Sequence, residues 1–462
     1  MEKLEKIKKK ITISNVIMIY IIMQPIIDFI TSLYIRNIST KFTIGMLLRA
    51  SFIVVITIYT ILNIEKKEKR MLFIYLALVI IYTLAFTIDY VIKFQGAMIF
   101  AQIKGLIKIL YFPVVLVCML LLLKHDKIQI KEKFIYISLL IYVLPIILCK
   151  YFSIGYYTYK TNSNLGTIGL FFAGNEISAI LPIFASIYFS KLTTKNITAI
   201  DYVFAIAIAF AMLEIGTKVA GISIYALEIL ATLISFIHLI RDKRTYKQFL
   251  KILSIFIVSA VMLGNTSFGK NYQIKPLIFN ETVFKDKKIT QTTKKATTTK
   301  TTTQVTKTQS YADKVIEKPE IVLSGRDRYL KNNIEAFGKA TIIDKFVGIG
   351  YYEKNNDAIK EIKLVEIDYF DIFICHGFLG AIIIIAPFII FAALSIKKFF
   401  KNFKKNIKNT LLIFSICAIV LAFGVGMIAG HVFTAPAVST ALLVAIFIMC
   451  NELNNKGNLK YE

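Results

Sequence analysis

The stretch VEIDYFDIFICHGFLGAIIII, residues 365–385, joins a cluster of acidic residues to a long apolar run. Glu366, Asp368 and Asp371 stand within six positions, and the run that follows is long enough to enter a lipid bilayer. The chain as a whole, in contrast, carries a formal net charge of +27. The stretch therefore predicts a membrane helix whose entrance is marked by three carboxylates.

Apolar runs of this kind recur along the 462-residue chain, which is 56% hydrophobic. A helix needs about 20 apolar residues to cross the hydrocarbon core of a bilayer, which is about 30 Å thick. We predict an all-α polytopic membrane protein with about 12 transmembrane helices, of which the first is too long for a signal peptide. The predicted spans are residues 12–32, 43–63, 71–92, 105–123, 134–152, 165–190, 200–215, 219–240, 249–265, 370–395, 409–430 and 433–450.

The distribution of lysine and arginine predicts how the chain is threaded. With a cytoplasmic N-terminus, the connecting segments on the cytoplasmic side carry two to six Lys or Arg each, and the short segments on the other side carry two or fewer. We expect both termini in the cytoplasm and residues 266–369 outside. Much of the positive charge then faces anionic lipid and needs no nucleic acid partner.

The outer segment 266–369 would divide the membrane domain into residues 1–265 and 370–462. Within it, residues 287–308 are rich in Thr and Lys and contain no acidic residue, a composition typical of disorder. Residues 321–369 instead contain apolar side chains at helical spacing and a glycine turn. We predict a solvated spacer followed by a small folded unit.

Ionisable residues within the predicted spans gather toward the predicted outer side. Arg49 lies in the outer third of the second span, and Lys104 and Lys108 open the fourth. Glu176 lies in the outer half of the sixth span, and Lys218 opens the eighth. Charges within a bilayer are costly and often mark a site. A pore would need polar groups through the full thickness, so the one-sided pattern favours a cavity that opens to the outside.

These residues allow more than one role. Arg49 and Lys218 could hold a phosphate group at that depth. Lys104 and Lys108 could do the same or extend to the aqueous interface, and Glu176 could act in the site or pair with a lysine.

The remaining side chains with catalytic or ligand chemistry are few. His376 and His431 lie toward the outer side, and either could act as a base or satisfy a helix contact. The five cysteines all fall inside predicted spans without disulfide or zinc spacing, so we expect packing residues. We expect neither a metal ion nor a cofactor.

The order of these features resembles the O-antigen ligase and O-antigen polymerase superfamily. The resemblance rests on about twelve spans with one large outer loop before the last of them, on Ser324-Gly325-Arg326, on the Gly348-Ile349-Gly350 turn and on residues 366–380. It covers nearly the whole chain. Shorter segments with the same likeness are LRA at 48–50, AGNE at 173–176 and GTK at 216–218.

One departure from the family pattern concerns the opening stretch. The family commonly shows His-Asn, nine residues and then Gly-x-x-Gly, and Gly377 and Gly380 fit the two glycines. Glu366 and Ile367 stand in the His-Asn positions. If the histidine is the base in relatives, this branch uses a carboxylate or no base. Many relatives also have an arginine where this chain has Lys218.

The resemblance implies a metal-independent glycosyltransferase of the GT-C type that works outside the cytoplasmic membrane. Such enzymes move a glycan from undecaprenyl pyrophosphate to an acceptor glycan, lipid, wall polymer or protein. The implied surroundings are membrane lipid and other polysaccharide-assembly proteins. The Lys-, Ile- and Asn-rich composition favours a Gram-positive-type source, in which the product would be capsule, exopolysaccharide or a wall polymer.

Transfer from a pyrophosphate carrier requires cations at the leaving group, whose negative charge grows in the transition state. Arg326 and Arg328, at the start of the predicted loop helix, are candidates for this role together with Arg49 and Lys218.

The reaction also needs a group that orients the acceptor hydroxyl or accepts its proton. Glu366 and Asp368 would share one face of an extended approach to the membrane and are the candidate catalytic residues. Asp371 follows at helical spacing as a further candidate. Alternatively, these carboxylates pair with arginines and only fasten the loop.

Two other functions are compatible with the composition. A flippase for lipid-linked oligosaccharide commonly has twelve spans but should show matched halves, and the motifs SGRDR and EIDYFD occur only once. A non-catalytic polysaccharide-assembly protein would share the cations but tolerate loss of the carboxylates.

Overall fold

The computed structural model describes residues 12–38, 43–96, 98–125, 127–159, 165–272, 326–355 and 358–454. Within these ranges it leaves out the side chains of residues 327–328, 353–355 and 358–360. The Thr/Lys-rich tract 287–308 and the pair Ser324-Gly325 lie outside the described residues.

Helices dominate the described part of the chain. In chain order they are α1 (Ile13–Asn37), α2 (Ile44–Asn63), α3 (Lys66–Phe94), α4 (Ile99–Lys124), α5 (Glu132–Tyr151), α6 (Gly174–Thr194), α7 (Ala199–Ile215), α8 (Lys218–Arg241), α9 (Tyr246–Met262), α10 (Ser267–Tyr272), α11 (Arg326–Lys339), α12 (Ile342–Val347), α13 (Asp368–Lys401), α14 (Phe403–Asn406), α15 (Thr410–Ile428) and α16 (Pro436–Asn454). Single 3-10 turns extend α9 to Lys243–Asn265. Two antiparallel hairpins complete the set: β1 (Tyr157–Tyr159) with β2 (Leu165–Thr167), and β3 (Tyr352–Asn355) with β4 (Ala358–Glu361).

Eleven of the described helices are long and apolar enough to cross a membrane. They are all the helices above except α7, α10, α11, α12 and α14. The prediction of an all-α polytopic membrane protein is confirmed. Helix α11 also occupies the part of the loop where apolar spacing predicted a helix.

Two predicted spans depart from the regular pattern. The seventh corresponds to α7, which is short: its 17 residues reach about 26 Å at 1.5 Å per residue, and it still carries the chain to Lys218, on the same side as Arg326. The sixth was predicted from residue 165, but α6 begins at Gly174. The residues before it form β2, and Gly166 and Gly169 adopt positive φ angles of 76° and 62° that interrupt a helix.

Helices α4, α6 and α16 form the centre of the bundle, and their side chains are buried on almost every face. The outer helices α3 and α9 instead expose large apolar side chains, including Ile81, Ile92 and Val261. A helix that is apolar all round occurs where its surroundings are also apolar. The exposed faces of α3 and α9 are therefore the lipid-facing surface.

Helix α13 is longer than a bilayer requires. Its 34 residues extend about 51 Å, against about 30 Å of hydrocarbon. Counting about 20 residues back from the lysine pair at Lys397 reaches Gly377, where φ 63° and ψ −172° break the helical geometry. Residues 368–376 therefore project from the membrane on the side that carries residues 326–367, which we call the loop side.

The turn at Gly348-Ile349-Gly350 docks on this kink. Because Gly377 is not helical, carbonyl groups just before it lose their partners within the helix. Two N–H groups of the turn donate instead to the carbonyls of Ile374 and Cys375, at 3.2 and 3.0 Å. The approach needs glycine, since a Cβ at Gly348 would lie 2.1 Å from the Cys375 oxygen. The kink thus joins the loop-side segment to the membrane bundle.

Candidate functional site

Asp368, the first residue of α13, is almost completely buried, with 1% of its surface exposed. Four donors surround its carboxylate in the turn between α15 and α16. They are the backbone N–H groups of His431 (2.9 Å), Val432 (2.6 Å) and Phe433 (2.9 Å) and the hydroxyl group of Thr434 (3.0 Å). Both carboxylate oxygens are occupied, so this geometry favours a fastening role over proton transfer.

Asp371 is buried one turn further along α13. Its two oxygens accept hydrogen bonds from the backbone N–H groups of Val365 and Glu366, at 2.9 and 3.0 Å. It therefore holds the chain that leads into the helix. This support matters because Glu366 adopts φ 62°, a left-handed conformation that is uncommon outside glycine.

Glu366 is the most accessible of the three carboxylates, with 30% of its side chain exposed. Its Oε2 lies 3.0 Å from Nη2 of Arg326, and its Oε1 lies 3.2 Å from Nζ of Lys363. His431 is near enough to interact electrostatically with the carboxylate. Glu366 therefore lies between two cations, Arg326 and Lys363, and beside His431.

Lys218 completes this cluster. It begins α8 and lies close enough to Arg326 for the two positive charges to repel each other. We call Arg326, Lys363, Glu366, His431 and Lys218 the Glu366 cluster. Arg328 belongs to α11, but its side chain falls outside the described part of the chain.

The ionisation of Glu366 reflects these neighbours. Burial by itself raises the pKa of Glu366, but the hydrogen bond from Lys363 and the charges of His431, Lys363 and Arg326 outweigh it and hold the pKa below its usual value. The charged form is thus favoured in the folded protein. It adds stability above about pH 4.5, and that stability is lost as the pH falls through the lowered folded value.

We expect Glu366→Gln to lower the free energy of unfolding at pH 7 by about 1 kcal/mol, since a partly exposed ion pair contributes no more than that. The difference from wild type should disappear as the pH approaches 3. Thermal unfolding of both proteins in detergent across this pH range measures it. Glu335→Gln, at an exposed glutamate of α11, is the matched control. A difference that persists in acid would contradict the assigned ion pair.

Arg49 belongs to a second buried cluster. Its Nη2 lies 2.5 Å from Oδ1 of Asp28 and 3.3 Å from Oε1 of Gln24. The other oxygen of Asp28 accepts a hydrogen bond from Tyr142 at 2.6 Å. Glu176, in the first turn of α6, is close enough to act electrostatically on Arg49. The structure thus brings two predicted site residues together, with Arg49 already paired to a carboxylate.

Lys104 and Lys108 lie one turn apart at the loop-side end of α4 and repel each other. Lys104 is also within electrostatic range of Glu361, the last residue of β4. The β3–β4 hairpin therefore lies over the loop-side end of α4. This arrangement is compatible with either of the predicted roles for the two lysines.

His376 is buried between two tyrosines. Its Nδ1 lies 2.8 Å from Oη of Tyr82 on α3, and its Nε2 lies 2.7 Å from Oη of Tyr351, next to the glycine turn. A neutral imidazole offers one donor and one acceptor, so the two hydroxyl groups satisfy both ring nitrogens. This geometry indicates a clamp between α3, α13 and the loop-side segment.

Tyr351→Phe should weaken this clamp. The substitution leaves one buried ring nitrogen of His376 without its partner, which costs about 1–3 kcal/mol. We expect a lower unfolding temperature in detergent, measured against Tyr352→Phe, which removes a hydroxyl group from the neighbouring residue. Equal unfolding temperatures for the two variants would exclude a stabilising clamp.

The sequence analysis missed Lys363 and did not place His431. Lys363 precedes Glu366 by three residues, a spacing that could have indicated an ion pair. His431 is brought to the cluster by folding alone. Among the described residues, no three His, Cys, Asp or Glu side chains form a group that could hold a metal ion, and the five cysteines are free.

The chain also matches a known protein family. A family model described as O-antigen ligase like membrane protein matches residues 10–455, which is nearly the whole chain. No curated protein matches the sequence. The match includes every described helix of both clusters and suggests a membrane polysaccharide ligase or polymerase in general. The resemblance found in the sequence is confirmed: the chain belongs to the O-antigen ligase-like family of membrane proteins.

Proposed function

We propose that the protein is a glycosyltransferase that takes a glycan from undecaprenyl pyrophosphate and joins it to an acceptor hydroxyl on the outer face of the membrane. The observation that carries this proposal is Glu366 held between Arg326 and Lys363 beside His431. The transfer needs a carboxylate for the acceptor hydroxyl and cations for the leaving pyrophosphate, and this cluster holds both. The acceptor is a growing glycan in a polymerase, or a lipid, wall polymer or protein in a ligase.

The cations of the Glu366 cluster would serve the leaving group. As the bond between the anomeric carbon and the pyrophosphate oxygen breaks, its electron pair stays on that oxygen. Arg326 offers a planar fork of N–H donors that suits phosphate, and Lys218 and Lys363 add positive charge. We include Arg328 among the pyrophosphate-binding cations because it lies two residues after Arg326 in α11.

Glu366 and His431 would serve the acceptor. The acceptor oxygen forms the new bond to the anomeric carbon and gives up its proton to one of these two groups. In the unliganded protein Arg326 holds the carboxylate. A pyrophosphate competes for Arg326 by its greater charge, and the freed carboxylate can then orient either the acceptor or His431.

The other predicted residues would support this centre. We propose that Asp368 and Asp371 position Glu366 and the α15–α16 turn through their backbone hydrogen bonds. A phosphate at Arg49 would have to displace Asp28, which Tyr142 also holds, so we assign Arg49 and Glu176 to shaping the bundle beneath the centre. Lys104 and Lys108 remain candidates for the phosphate at the membrane boundary.

The proposal requires the loop side to face outward. The Lys and Arg distribution supports this orientation, with both termini in the cytoplasm and residues 266–369 as an extracytoplasmic unit. Lys397, Lys398 and Lys401 at the opposite end of α13 agree with it.

The membrane leaflet in which unused lipid-linked oligosaccharide accumulates tests the proposed function. In the source strain with its chromosomal copy deleted, we expect lipid-linked oligosaccharide to accumulate in the outer leaflet, where a membrane-impermeant glycosidase can cleave it. The wild-type chain supplied in trans should restore polymer and remove the excess. Accumulation in the inner leaflet would identify a flippase and reject the transferase.

A further inference from the structure

The short helix α12 presents opposite sides with different chemistry. Asp344 faces inward, is 9% exposed and pairs with Lys93 at the end of α3. Ile342, Ile343 and Phe346 face outward and are 76%, 61% and 57% exposed. Three adjacent large apolar side chains at this exposure are costly in water, so this face needs an apolar covering.

Two membrane helices place α12 at the same depth. The backbone of Phe346 lies close to Gly377: a Cβ added at Gly377 would lie 2.6 Å from the carbonyl group of Phe346. Gly377 is also about 20 residues from Lys397, the length that crosses a bilayer. On α3, the apolar run between Arg70 and Asp89 extends about 27 Å, and Lys93, one turn beyond Asp89, contacts α12 through Asp344. Both estimates place α12 at the loop-side boundary of the hydrocarbon.

The exposed face of α12 continues into the lipid-facing surface of α13. The rings of Phe346 and Phe378 have centroids 6.3 Å apart. Phe378 is itself 48% exposed, and Ile382, one turn further into the membrane, is 62% exposed. The apolar surface is therefore continuous from the membrane span to α12.

We propose that α12 is an interfacial anchor, with Ile342, Ile343 and Phe346 inserted among the acyl chains of the loop-side leaflet. The exposed face of α12 is continuous with the lipid-facing surface of α13, so we infer that lipid, rather than a partner protein, covers it. Lys339, at the end of α11, and Lys345, within α12, can contact lipid phosphate groups. The anchor fixes the height of the glycine turn relative to the lipid headgroups, and it does not depend on the proposed transferase activity.

The chain contains no tryptophan, so a single introduced tryptophan reports its own surroundings. Ile342→Trp and Phe346→Trp are the two probes. Ile382→Trp on α13 is the lipid-facing reference, and Lys331→Trp on the exposed side of α11 is the aqueous reference. Each full-length variant is purified and reconstituted in phosphatidylglycerol and phosphatidylcholine vesicles. The phosphatidylcholine carries bromine either near the headgroup end or near the methyl end of its acyl chains.

Both probes should be quenched by brominated lipid several-fold more than Lys331→Trp, and more by bromine near the headgroup than by bromine near the methyl end. Their quenching by aqueous acrylamide should be correspondingly weak. If the two probes behaved like Lys331→Trp, with strong quenching by acrylamide and weak quenching by bromine, α12 would lie in water and the anchor would be overturned. Weak quenching by both agents would show that protein covers the face and would equally overturn it.

Discussion

Arg326→Ala is expected to lower the rate of glycan transfer by about 10²–10³, the usual cost of removing one donor that stabilises a developing oxyanion. The physical reason is the loss of the guanidinium that lies 3.0 Å from Glu366 and close to Lys218. Lipid-linked donor should accumulate in the outer leaflet as polymer is lost. Polymer yield and donor level in the source strain measure both effects at matched membrane abundance of the protein.

Two further variants make this result specific. Arg326→Lys keeps the charge but not the planar fork of donors, so we expect partial recovery of transfer. Lys331→Ala removes a cation from an exposed position on the same helix and should leave transfer unchanged. Wild-type transfer by Arg326→Ala would reject the proposed leaving-group site, and equal losses in Arg326→Ala and Lys331→Ala would indicate a general charge effect.

The membrane architecture could be predicted from sequence because each helix carries its own signal. A run of about 20 apolar residues ends where charged residues begin, as in α3 between Arg70 and Asp89. The start of α6 could not be predicted in this way. The hairpin before it depends on pairing between residues 157–159 and 165–167, and strand pairing leaves no hydrophobic period in so short a segment.

The candidate site was predictable only in part, for a similar reason. The proximity of Glu366 and Lys363 is local, and of the three acids Glu366 pairs with an arginine, Arg326, whereas Asp368 and Asp371 accept from backbone N–H groups. Asp368 and His431, however, are 63 residues apart and meet through backbone N–H groups, which every sequence contains. Sequence alone could therefore identify the carboxylates but could not distinguish an accessible one from one that is enclosed.

That distinction leads to the second large effect, on stability rather than on transfer. Asp368→Ala removes the acceptor from three backbone N–H groups and one hydroxyl group in a buried turn. Each unsatisfied buried donor costs about 1–3 kcal/mol. Water that fills the space left by the carboxylate can accept hydrogen bonds from some of these donors and so recover part of the loss. We therefore expect the free energy of unfolding to fall by at least about 3 kcal/mol. The unfolding temperature in detergent and the abundance in membranes should both fall.

The matched comparison is Glu366→Ala, two residues away and accessible, which should reduce transfer with little effect on the unfolding temperature. Asp371→Ala should fall between the two in stability, since it leaves two N–H groups rather than three without their side-chain acceptor. The order of unfolding temperatures therefore follows the number of backbone N–H groups that each carboxylate holds: three for Asp368, two for Asp371 and, among the described residues, none for Glu366, whose donors are side chains. If Asp368→Ala lost transfer at an unchanged unfolding temperature, the buried carboxylate would belong to the reaction, and the fastening role argued from its four hydrogen bonds would be wrong.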